Sequence, residues 1–372
     1  MSNEISLDAP NVGVIEKRYL NRAIDTGFVS TVGHFVPDFE ERFAAYLGVK
    51  RAVATQSGTA ALHISLYELG IGPGDEVIVP ALTFVATANP VRYLGANPVF
   101  VDVDPETWNI DPAEVEKNIT KRTKAVIPVH FYGNPCNMRE IMRIARKYSL
   151  YVVEDATESL GAKYKGRYTG TFGDLNCFSF NGNKVITTGG GGMVVGVDAK
   201  KLKHIKCLVN QARGRLKDYL HGEIGFNYRM TNIEAALGVA QMEKLGMFLD
   251  KKRRINELYK KGLEGIDSIV FQKEYNNAES SWWFTSVIIN GSGDIASLQK
   301  RLKRKGVPTR RIFAPLPQLP MYRSLAKGRH RNSGNIYERG LCLPSSTLNS
   351  DSDIWTVCSV IREVLGGRKS AG

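Results

Sequence analysis

Length, composition and charge indicate an ordinary globular chain. The protein has 372 residues, 43% hydrophobic and 23% charged, which excludes a disordered, collagenous or coiled-coil protein and predicts a large domain plus a smaller one. No apolar run reaches the roughly 18 residues of a membrane helix, and the start Met-Ser-Asn-Glu-Ile does not resemble a signal peptide. Because the five cysteines are scattered without a CxxC pair, we expect no disulfide framework, no metal site and a cytoplasmic location.

The predicted elements alternate between strands and helices up to about residue 200. In chain order, strands are predicted at 51–55, 76–80, 97–103, 124–129, 150–153, 177–180 and 192–197, with helices at 60–69, 84–94 and 138–148. This alternation predicts an α/β fold around a mostly parallel, seven-stranded sheet that is covered on both faces.

The pattern changes after residue 200. It predicts helices at 200–209, 232–254, 295–305 and 352–365, a strand at 282–289, and an extended segment at 308–320. We therefore expect a large domain at 1–245, including an N-terminal helix, and a smaller α+β domain at 246–372. Trp282 and Trp283 are interpreted as strand core or as the rim of a site.

The net charge of +13 is distributed unevenly. Residues 1–200 hold 20 Lys and Arg against 22 Asp and Glu, a net of −2, whereas residues 201–372 hold 30 against 15, a net of +15. Such asymmetry is compatible with a nucleic-acid surface, a membrane surface or a site for an anionic small molecule.

Three polar segments stand at predicted strand ends, where α/β sheets bind ligands. Ser57-Gly58-Thr59 opens a helix and suits a phosphate, although a plain N-cap is the commoner explanation. Asp155 could hold a ribose, a metal or a protonated ring nitrogen, or could simply cap a helix. Lys184, between a strand and four glycines, could form a Schiff base, although most lysines are surface charges. No Walker or Rossmann glycine motif accompanies them.

Together the three segments match what pyridoxal 5'-phosphate (PLP) requires. Its phosphate needs an anchor, its pyridinium nitrogen an Asp that keeps it protonated, and its aldehyde a Lys. An aromatic residue commonly stacks on the ring, and Phe84 follows a predicted strand end. The combination favours a PLP enzyme.

Six segments in order resemble the DegT/DnrJ/EryC1/StrS family of sugar aminotransferases, which have the PLP fold type I, aspartate aminotransferase-like architecture. The segments are 57–62, 73–78, 129–133, 154–156, 178–184 and 225–232, and the likeness extends from about residue 8 to residue 365. Each segment is weak alone, but all six in order are highly specific.

The resemblance implies roles for the matching residues. Lys184 would bond to the cofactor and then move the proton, and Asp155 would pair with the pyridinium nitrogen. Other implied cofactor contacts are Gly58, Thr59 and Ser179 at the phosphate, Phe84 on the ring, Glu158 at the phenolic oxygen, and Asn227 from the neighbouring subunit of a homodimer with shared sites. Expected substrate contacts are Thr31, in a loop at 26–33, together with His130, Arg229 and Arg310; a structural role is equally compatible with His130.

Two departures from the family pattern concern the substrate end. Gly190 stands where many relatives have Glu, and the segment 314–320 lacks a His that relatives often place there. Lys184 itself argues against the branch that carries His and dehydrates sugars.

The resemblance implies ping-pong transfer of an amino group from L-glutamate to the C4 ketone of a nucleotide-linked 4-keto-6-deoxy sugar, for surface-polysaccharide synthesis such as O-antigen. Segments 181–184, 210–213 and 221–225 resemble bacillosamine and legionaminic acid enzymes, so UDP-2-acetamido-2,6-dideoxy-4-hexulose is the first expectation. GDP-4-keto-6-deoxymannose, used by perosamine synthases, is the alternative.

A remote alternative is a non-enzymatic binder of nucleic acid or an anionic surface. It draws on the basic runs 251–254, 300–305 and 329–331, which are more simply explained as a solvated face. No nucleic-acid-binding motif accompanies them, so we expect neither nucleic acid nor membrane as a partner. Basic residues at 308–311 could contact the pyrophosphate of a nucleotide sugar.

Overall fold

The computed structural model describes residues 4–213, 220–291 and 293–366. Its helices are α1 (Val14–Asp25), α2 (Phe35–Leu47), α3 (Gly58–Glu68), α4 (Asn89–Tyr93), α5 (Pro112–Lys117), α6 (Met138–Tyr148), α7 (Ala199–Leu208), α8 (Asn232–Met242), α9 (Leu245–Gly262), α10 (Ile295–Arg304), α11 (Arg331–Arg339) and α12 (Asp351–Gly366). Its strands are β1 (Ala52–Thr55), β2 (Glu76–Pro80), β3 (Asn97–Val101), β4 (Thr123–Val126), β5 (Tyr151–Asp155), β6 (Lys163–Tyr164), β7 (Arg167–Tyr168), β8 (Leu175–Ser179), β9 (Gly192–Gly196), β10 (Ile269–Phe271), β11 (Ala278–Glu279), β12 (Ser286–Ile289), β13 (Arg310–Arg311) and β14 (Gly340–Cys342).

A seven-stranded sheet forms the centre of the molecule, in the order β1-β9-β8-β5-β4-β2-β3. Strands β8, β5, β4, β2 and β3 pair in parallel, while β9 runs antiparallel to both of its neighbours. This arrangement confirms the predicted α/β fold with a mostly parallel seven-stranded sheet. It also brings the carboxyl ends of β1, β5 and β8 to one edge, beside the start of β9.

Helix α3 shows why the sequence pattern here is apolar rather than amphipathic. Eight of its residues are buried, on all sides of the helix, because it lies against β8 and β9 and is itself covered by α4 and α7. A helix that is hydrophobic all round belongs in the interior. Its N-terminus is thereby held rigidly at the carboxyl end of β1, where a ligand can approach it.

The C-terminal part of the chain builds a second, smaller sheet in the order β10-β12-β14-β13, with antiparallel pairing throughout. Side chains of α9, α10 and α12 pack into its core. Helix α9 belongs to both cores: Phe248 and Leu249 pack with the large sheet, whereas Ile255 and Leu258 pack with the small one. The division into domains at residue 245 stays a prediction and falls at the beginning of this shared helix.

Several predicted elements differ from the structure. The helix at 232–254 is two helices, because α8 packs on α1 and α2 whereas α9 packs on α12, and periodicity does not report such a change of partner. The helix at 84–94 is a 3₁₀ turn followed by α4, in which Pro90 stands in the first turn. The strand at 282–289 begins only at Ser286, since Trp282 has left-handed backbone (φ 48°). Helices α2, α5 and α11 were not predicted.

Within the described ranges, no helix is long and apolar enough to cross a membrane. Those same ranges contain no group of three or more His, Cys, Asp and Glu side chains that could hold a metal ion. All five cysteines are free thiols.

Candidate active site

A cavity of about 420 Å³ opens at the carboxyl edge of the large sheet. Eight of the twelve predicted site residues line it: Gly58, Thr59, Phe84, Asp155, Glu158, Ser179, Lys184 and Arg310. They come from five segments of the chain, from Gly58 to Arg310. A shallower groove of about 780 Å³ between α2 and α7 is larger but contains none of the predicted site residues.

The N-terminus of α3 forms one end of the cavity. Ser57 caps the helix by accepting a hydrogen bond from the Ala60 N–H (3.1 Å), and the leading N–H groups of a helix have no carbonyl partner inside it. A Cβ on Gly58 would lie 2.8 Å from Cβ of Ser179 and 3.1 Å from Cγ2 of Thr157. Only glycine therefore lets the helix start approach the end of β8, which brings N–H groups and two hydroxyls together as an anion site.

Asp155 ends β5 and is held by hydroxyl groups on both oxygens. Its Oδ2 accepts a hydrogen bond from Thr87 Oγ1 (2.8 Å), and its Oδ1 accepts from Thr157 Oγ1 (2.6 Å) and Thr157 N (3.2 Å). The side chain is 2% exposed. A buried carboxylate fixed in this way is oriented toward the cavity as a partner for a cationic group.

Lys184 also lines the cavity, in a turn after β8 in which its N–H donates to Asn181 O (2.9 Å). Its Nζ lies 3.7 Å from the centroid of the Trp283 ring. Burial lowers the pKa of Lys184, an effect that the negative charges of Glu158 and Asp155 partly offset. A lowered pKa increases the fraction of neutral amine, which is the form that attacks an aldehyde.

Glu158 is buried beside Lys184 and accepts a hydrogen bond from the Tyr132 N–H (2.8 Å). Burial raises the pKa of Glu158 to about 7, while Lys184 and the Tyr132 N–H act in the opposite direction. The carboxyl group therefore changes protonation near neutral pH and can donate as well as accept a hydrogen bond.

Besides His130, three predicted residues lie outside this cavity. Thr31 and Arg229 line a second cavity of about 230 Å³, in which the buried Nε of Arg229 has no hydrogen-bond partner among the described residues. Asn227 is exposed and lines neither cavity. The folded single chain thus does not bring these three residues to Lys184.

His130 does not line the cavity, contrary to its prediction as a substrate contact. Its ring is fully buried: Nδ1 accepts a hydrogen bond from the Cys136 N–H (3.0 Å), so Nε2 carries the proton that bonds to Glu154 Oε2 (2.9 Å). Both ring nitrogens are occupied inside the protein, away from the cavity lining. The prediction that His130 contacts substrate is replaced by a structural role, in which it holds the loop after β4 to β5.

Several lining residues were not predicted as part of the site, among them Thr87 and Thr157, while Trp283 was interpreted as strand core or as the rim of a site. Trp283 is 2% exposed and its Nε1 donates to Asn183 O (2.6 Å), next to Lys184. Thr157 could have been found, because a threonine two residues after an aspartate commonly bonds back to it. Nothing in the sequence pattern associates Trp283 with Lys184, which is 99 residues away.

The cavity fits the requirements of PLP. It joins a helix start with two hydroxyls for the phosphate, a fixed carboxylate for the ring nitrogen, and a buried lysine with lowered pKa for the aldehyde. The exposed ring of Phe84 stands at the wall, 5.3 Å from the ring of Phe313. Fold and site together define the class of PLP-dependent enzymes of fold type I.

The chain belongs to the DegT/DnrJ/EryC1/StrS aminotransferase family, whose model matches residues 11–362. It is 41% identical to the GDP-perosamine synthase of Escherichia coli O157:H7 over 356 residues, or 95% of this chain and 96% of the relative. It is also 41% identical to the GDP-perosamine synthase of Caulobacter vibrioides, over 97% of this chain and 98% of the relative. The PLP form of the sugar aminotransferase Spr1654 of Streptococcus pneumoniae is similar in structure, with a TM-score of 0.94 and 25% identity, over 99% of this chain and all of that one.

These findings confirm the predicted family, fold, enzyme class and cofactor. The protein is a PLP-dependent sugar aminotransferase.

Proposed function

We propose that this aminotransferase transfers the amino group of L-glutamate to the C4 ketone of a nucleotide-linked 4-keto-6-deoxy sugar. The observation that carries the proposal is the set of Lys184, Asp155 and the α3 N-terminus around one cavity, in a chain 41% identical to two GDP-perosamine synthases. The product would be a 4-amino-4,6-dideoxy sugar. Its use would be surface polysaccharide, such as O-antigen, after synthesis in the cytoplasm.

The residues around the cavity divide the work of binding and proton transfer. When bound, PLP withdraws electrons from the carbon that carries the amino group. Lys184 would hold the cofactor and, once released from it, move a proton on its Nζ. The centroid of the Trp283 ring lies 3.7 Å from Nζ, so the free ammonium group would form a cation–π contact with this ring.

The other cofactor contacts would orient the ring. Asp155 would pair with the ring nitrogen, and Glu158 would face the phenolic oxygen. Phe84 would cover the ring. The start of α3, with Gly58, Thr59 and Ser179, would hold the phosphate.

GDP-4-keto-6-deoxymannose is the substrate that we now place first. The sequence segments favoured a UDP-linked sugar, but two relatives that are 41% identical over nearly the whole chain carry the name GDP-perosamine synthase. A UDP-linked 4-keto-6-deoxy-N-acetylhexosamine remains the second candidate, because segments 210–213 and 221–225 resemble the enzymes that use it.

The basic C-terminal half supports an anionic substrate. A nucleoside diphosphate sugar carries about two negative charges, and residues 201–372 carry a net charge of +15. Two charges do not account for +15, so this excess supports steering of an anion rather than a contact for each charge.

The substrate assignment is tested with the purified enzyme in its pyridoxamine phosphate form. It is mixed separately with the GDP-linked and the UDP-linked 4-keto-6-deoxy sugar, and the visible absorbance of PLP is followed. We expect the GDP-linked sugar to restore the absorbance at the lower concentration. If only the UDP-linked sugar restores it, the second candidate is correct, and if neither does, the substrate class is wrong.

We also propose a homodimer with shared active sites. Asn227 is exposed and lies outside the cavity. The resemblance to the family implies that this residue reaches the phosphate in the active site of the neighbouring subunit. The side chains of Phe28, Val32 and Ile224 are large, apolar and between 51% and 77% exposed. We propose that the neighbouring subunit covers these side chains.

Subunit complementation tests the shared site. Lys184→Ala and Asn227→Ala proteins are each expected to have little activity. A mixture that is unfolded and refolded together should regain activity, because half of the sites in a mixed dimer would receive both wild-type residues. A mixture no more active than its components would contradict sharing, and sedimentation of the wild type as a monomer would contradict the dimer.

A further inference from the structure

The N-terminal segment 5–9 lies across the C-terminal part of the chain as a strap. The Ser345 N–H donates to Leu7 O (2.7 Å), and Ser346 Oγ donates to Ala9 O (2.8 Å). Ser6 and Asn349 exchange two further hydrogen bonds of 2.9 and 2.7 Å. Hydrogen bonds to backbone carbonyls on both sides of residue 8 fix the strap, and Asp8 is the one charged residue in the segment 5–9.

Asp8 is held at the cavity by two residues that line it. Its Oδ2 accepts hydrogen bonds from Arg310 Nη2 (2.7 Å) and from Asn183 Nδ2 (3.0 Å). The side chain of Asp8 is 14% exposed and that of Arg310 is 33% exposed, so the ion pair is partly shielded from solvent. Asn183 directly precedes Lys184, and the carboxylate of Asp8 is close enough for its charge to act on Lys184, where it partly offsets the lowering of the pKa by burial.

The guanidinium group of Arg310 forms fewer hydrogen bonds than its N–H donors allow. Among the described residues, Asp8 is the only hydrogen-bond partner of the Arg310 guanidinium, and the bond uses Nη2 alone. The centroid of the Phe284 ring lies 5.1 Å from Cζ of Arg310. A guanidinium can bind a carboxylate through two parallel hydrogen bonds. A free carboxylate arriving in the cavity could therefore form a better pair with Arg310 than Asp8 does.

The two substrates of an aminotransferase place opposite demands on such an arginine. An α-amino acid carries a carboxylate next to its reacting carbon, whereas a keto sugar carries no charge beside its ketone. An arginine without a partner in a sheltered cavity is costly, since its charge has lost part of its hydration. An internal carboxylate removes that cost whenever the sugar is bound.

We infer that Asp8 is a built-in counter-ion of Arg310, which the α-carboxylate of the amino donor displaces and which returns when the sugar binds. Asp8 thereby determines how one cavity accepts two substrates of different charge. The inference rests on the proposed use of an α-amino acid as donor, but not on the identity of the sugar.

The test uses the holoenzyme and L-glutamate without any sugar. Loss of the visible PLP absorbance is recorded against L-glutamate concentration for the wild type, Asp8→Asn and Asp8→Ala. Removal of a competing carboxylate from a partly exposed pair should lower the apparent Kd for L-glutamate by about three- to tenfold. Asp8→Glu should restore a value close to that of the wild type, and the KM for the keto sugar should rise in Asp8→Asn.

Two further variants provide controls. Arg310→Met should weaken L-glutamate binding and should abolish the effect of Asp8→Asn in the double variant. Asp38→Asn removes another single Arg–Asp contact of 2.7 Å, to Arg42 on α2, and should leave L-glutamate affinity unchanged. Thermal melting of each variant checks that it is folded.

The outcomes are distinct. Unchanged or weaker L-glutamate binding in both Asp8→Asn and Asp8→Ala would overturn the inference, because Asp8 would then only position Arg310. Tighter binding of the sugar alone would also overturn it, since Arg310 would then serve the sugar. Maleate, a dicarboxylate without an amino group, is titrated in parallel as an inhibitor. If the wild type does not react with L-glutamate, the proposed donor is wrong, and the maleate affinities still decide whether Asp8 competes for Arg310.

Discussion

The cavity has two sides that are built in different ways. The large sheet provides the side expected to hold the cofactor, from residues within a few positions of the ends of β1, β5 and β8. The C-terminal part provides the opposite side through Trp283, Arg310 and Phe313, which lie in or next to loops. Strand ends in a buried parallel sheet tolerate few changes in sequence, whereas loops tolerate many. The difference separates chemistry shared by a family from the choice of substrate.

The most damaging change on the sheet side should be Lys184→Ala. Without the amine, the protein cannot hold the cofactor covalently or move the proton, so turnover should fall by at least about 10²–10⁴-fold. The visible absorbance of bound PLP should be lost at the same time. Lys121→Ala, at an exposed position outside the cavity, serves as the control and should keep both. Substantial activity in Lys184→Ala would refute the assignment.

A glycine comparison tests the phosphate end of the same side. In Gly58→Ala the new Cβ would lie 2.8 Å from Ser179 Cβ, which should push α3 away from β8 and weaken PLP binding by about tenfold or more, or about 1.4 kcal/mol. Gly72→Ala meets no atom within 4 Å and should bind PLP like the wild type. Equilibrium titration of the apoproteins with PLP measures both. Equal affinities would show that this approach of helix and strand does not form the phosphate site.

Lys252 offers a test of the C-terminal side through stability rather than activity. Its buried Nζ donates to Trp283 O (2.9 Å) and Ser345 O (2.6 Å), and burial lowers the pKa of Lys252 to about 7, partly offset by Asp8. Between about pH 7 and the unfolded pKa of 10.5, the unfolded chain binds more protons, so the free energy of unfolding rises with pH.

The measurement compares wild type with Lys252→Met, which has no titrating group at this position. Urea unfolding across pH 7 to 10 should show the wild type gaining stability relative to the variant, by at most about 1.4 kcal/mol per pH unit. Other titrating groups cancel in the difference. A constant difference would mean that Lys252 remains charged in the folded protein.

The smallest effect is expected for Glu158→Gln. Because burial raises the pKa of Glu158 to about 7, a neutral amide resembles the protonated acid, and activity should change by less than about tenfold. The folded protein binds the extra proton between the unfolded pKa of 4.5 and about 7, so wild-type stability from this group falls as pH rises through that range. In Glu158→Gln, this pH-dependent contribution to stability should be absent, and the reaction rate should not change with pH near 7. If the activity of wild type and Glu158→Gln depends on pH in the same way, Glu158 does not take part in the reaction.

Sequence reasoning was strongest where function depends on local order. The succession of a strand, Ser57-Gly58-Thr59 and a helix is visible in the sequence, as are Asp155 at a strand end and Lys184 before four glycines. The seven-stranded sheet follows from alternation of apolar runs and helical patterns. Element ends and helix breaks were weaker, because the break between α8 and α9 depends on what each helix packs against.

By itself, the sequence determined the class of fold, the cofactor and most of the residues that line the cavity, since the motifs that indicate them are short segments of neighbouring residues. Only the tertiary structure decided that Trp283 covers Lys184, that Asp8 pairs with Arg310 from 302 residues away, and that His130 is buried against Glu154. Periodicity shows which side chains leave water, but it does not show which of them meet, because those contacts arise only when distant segments pack together.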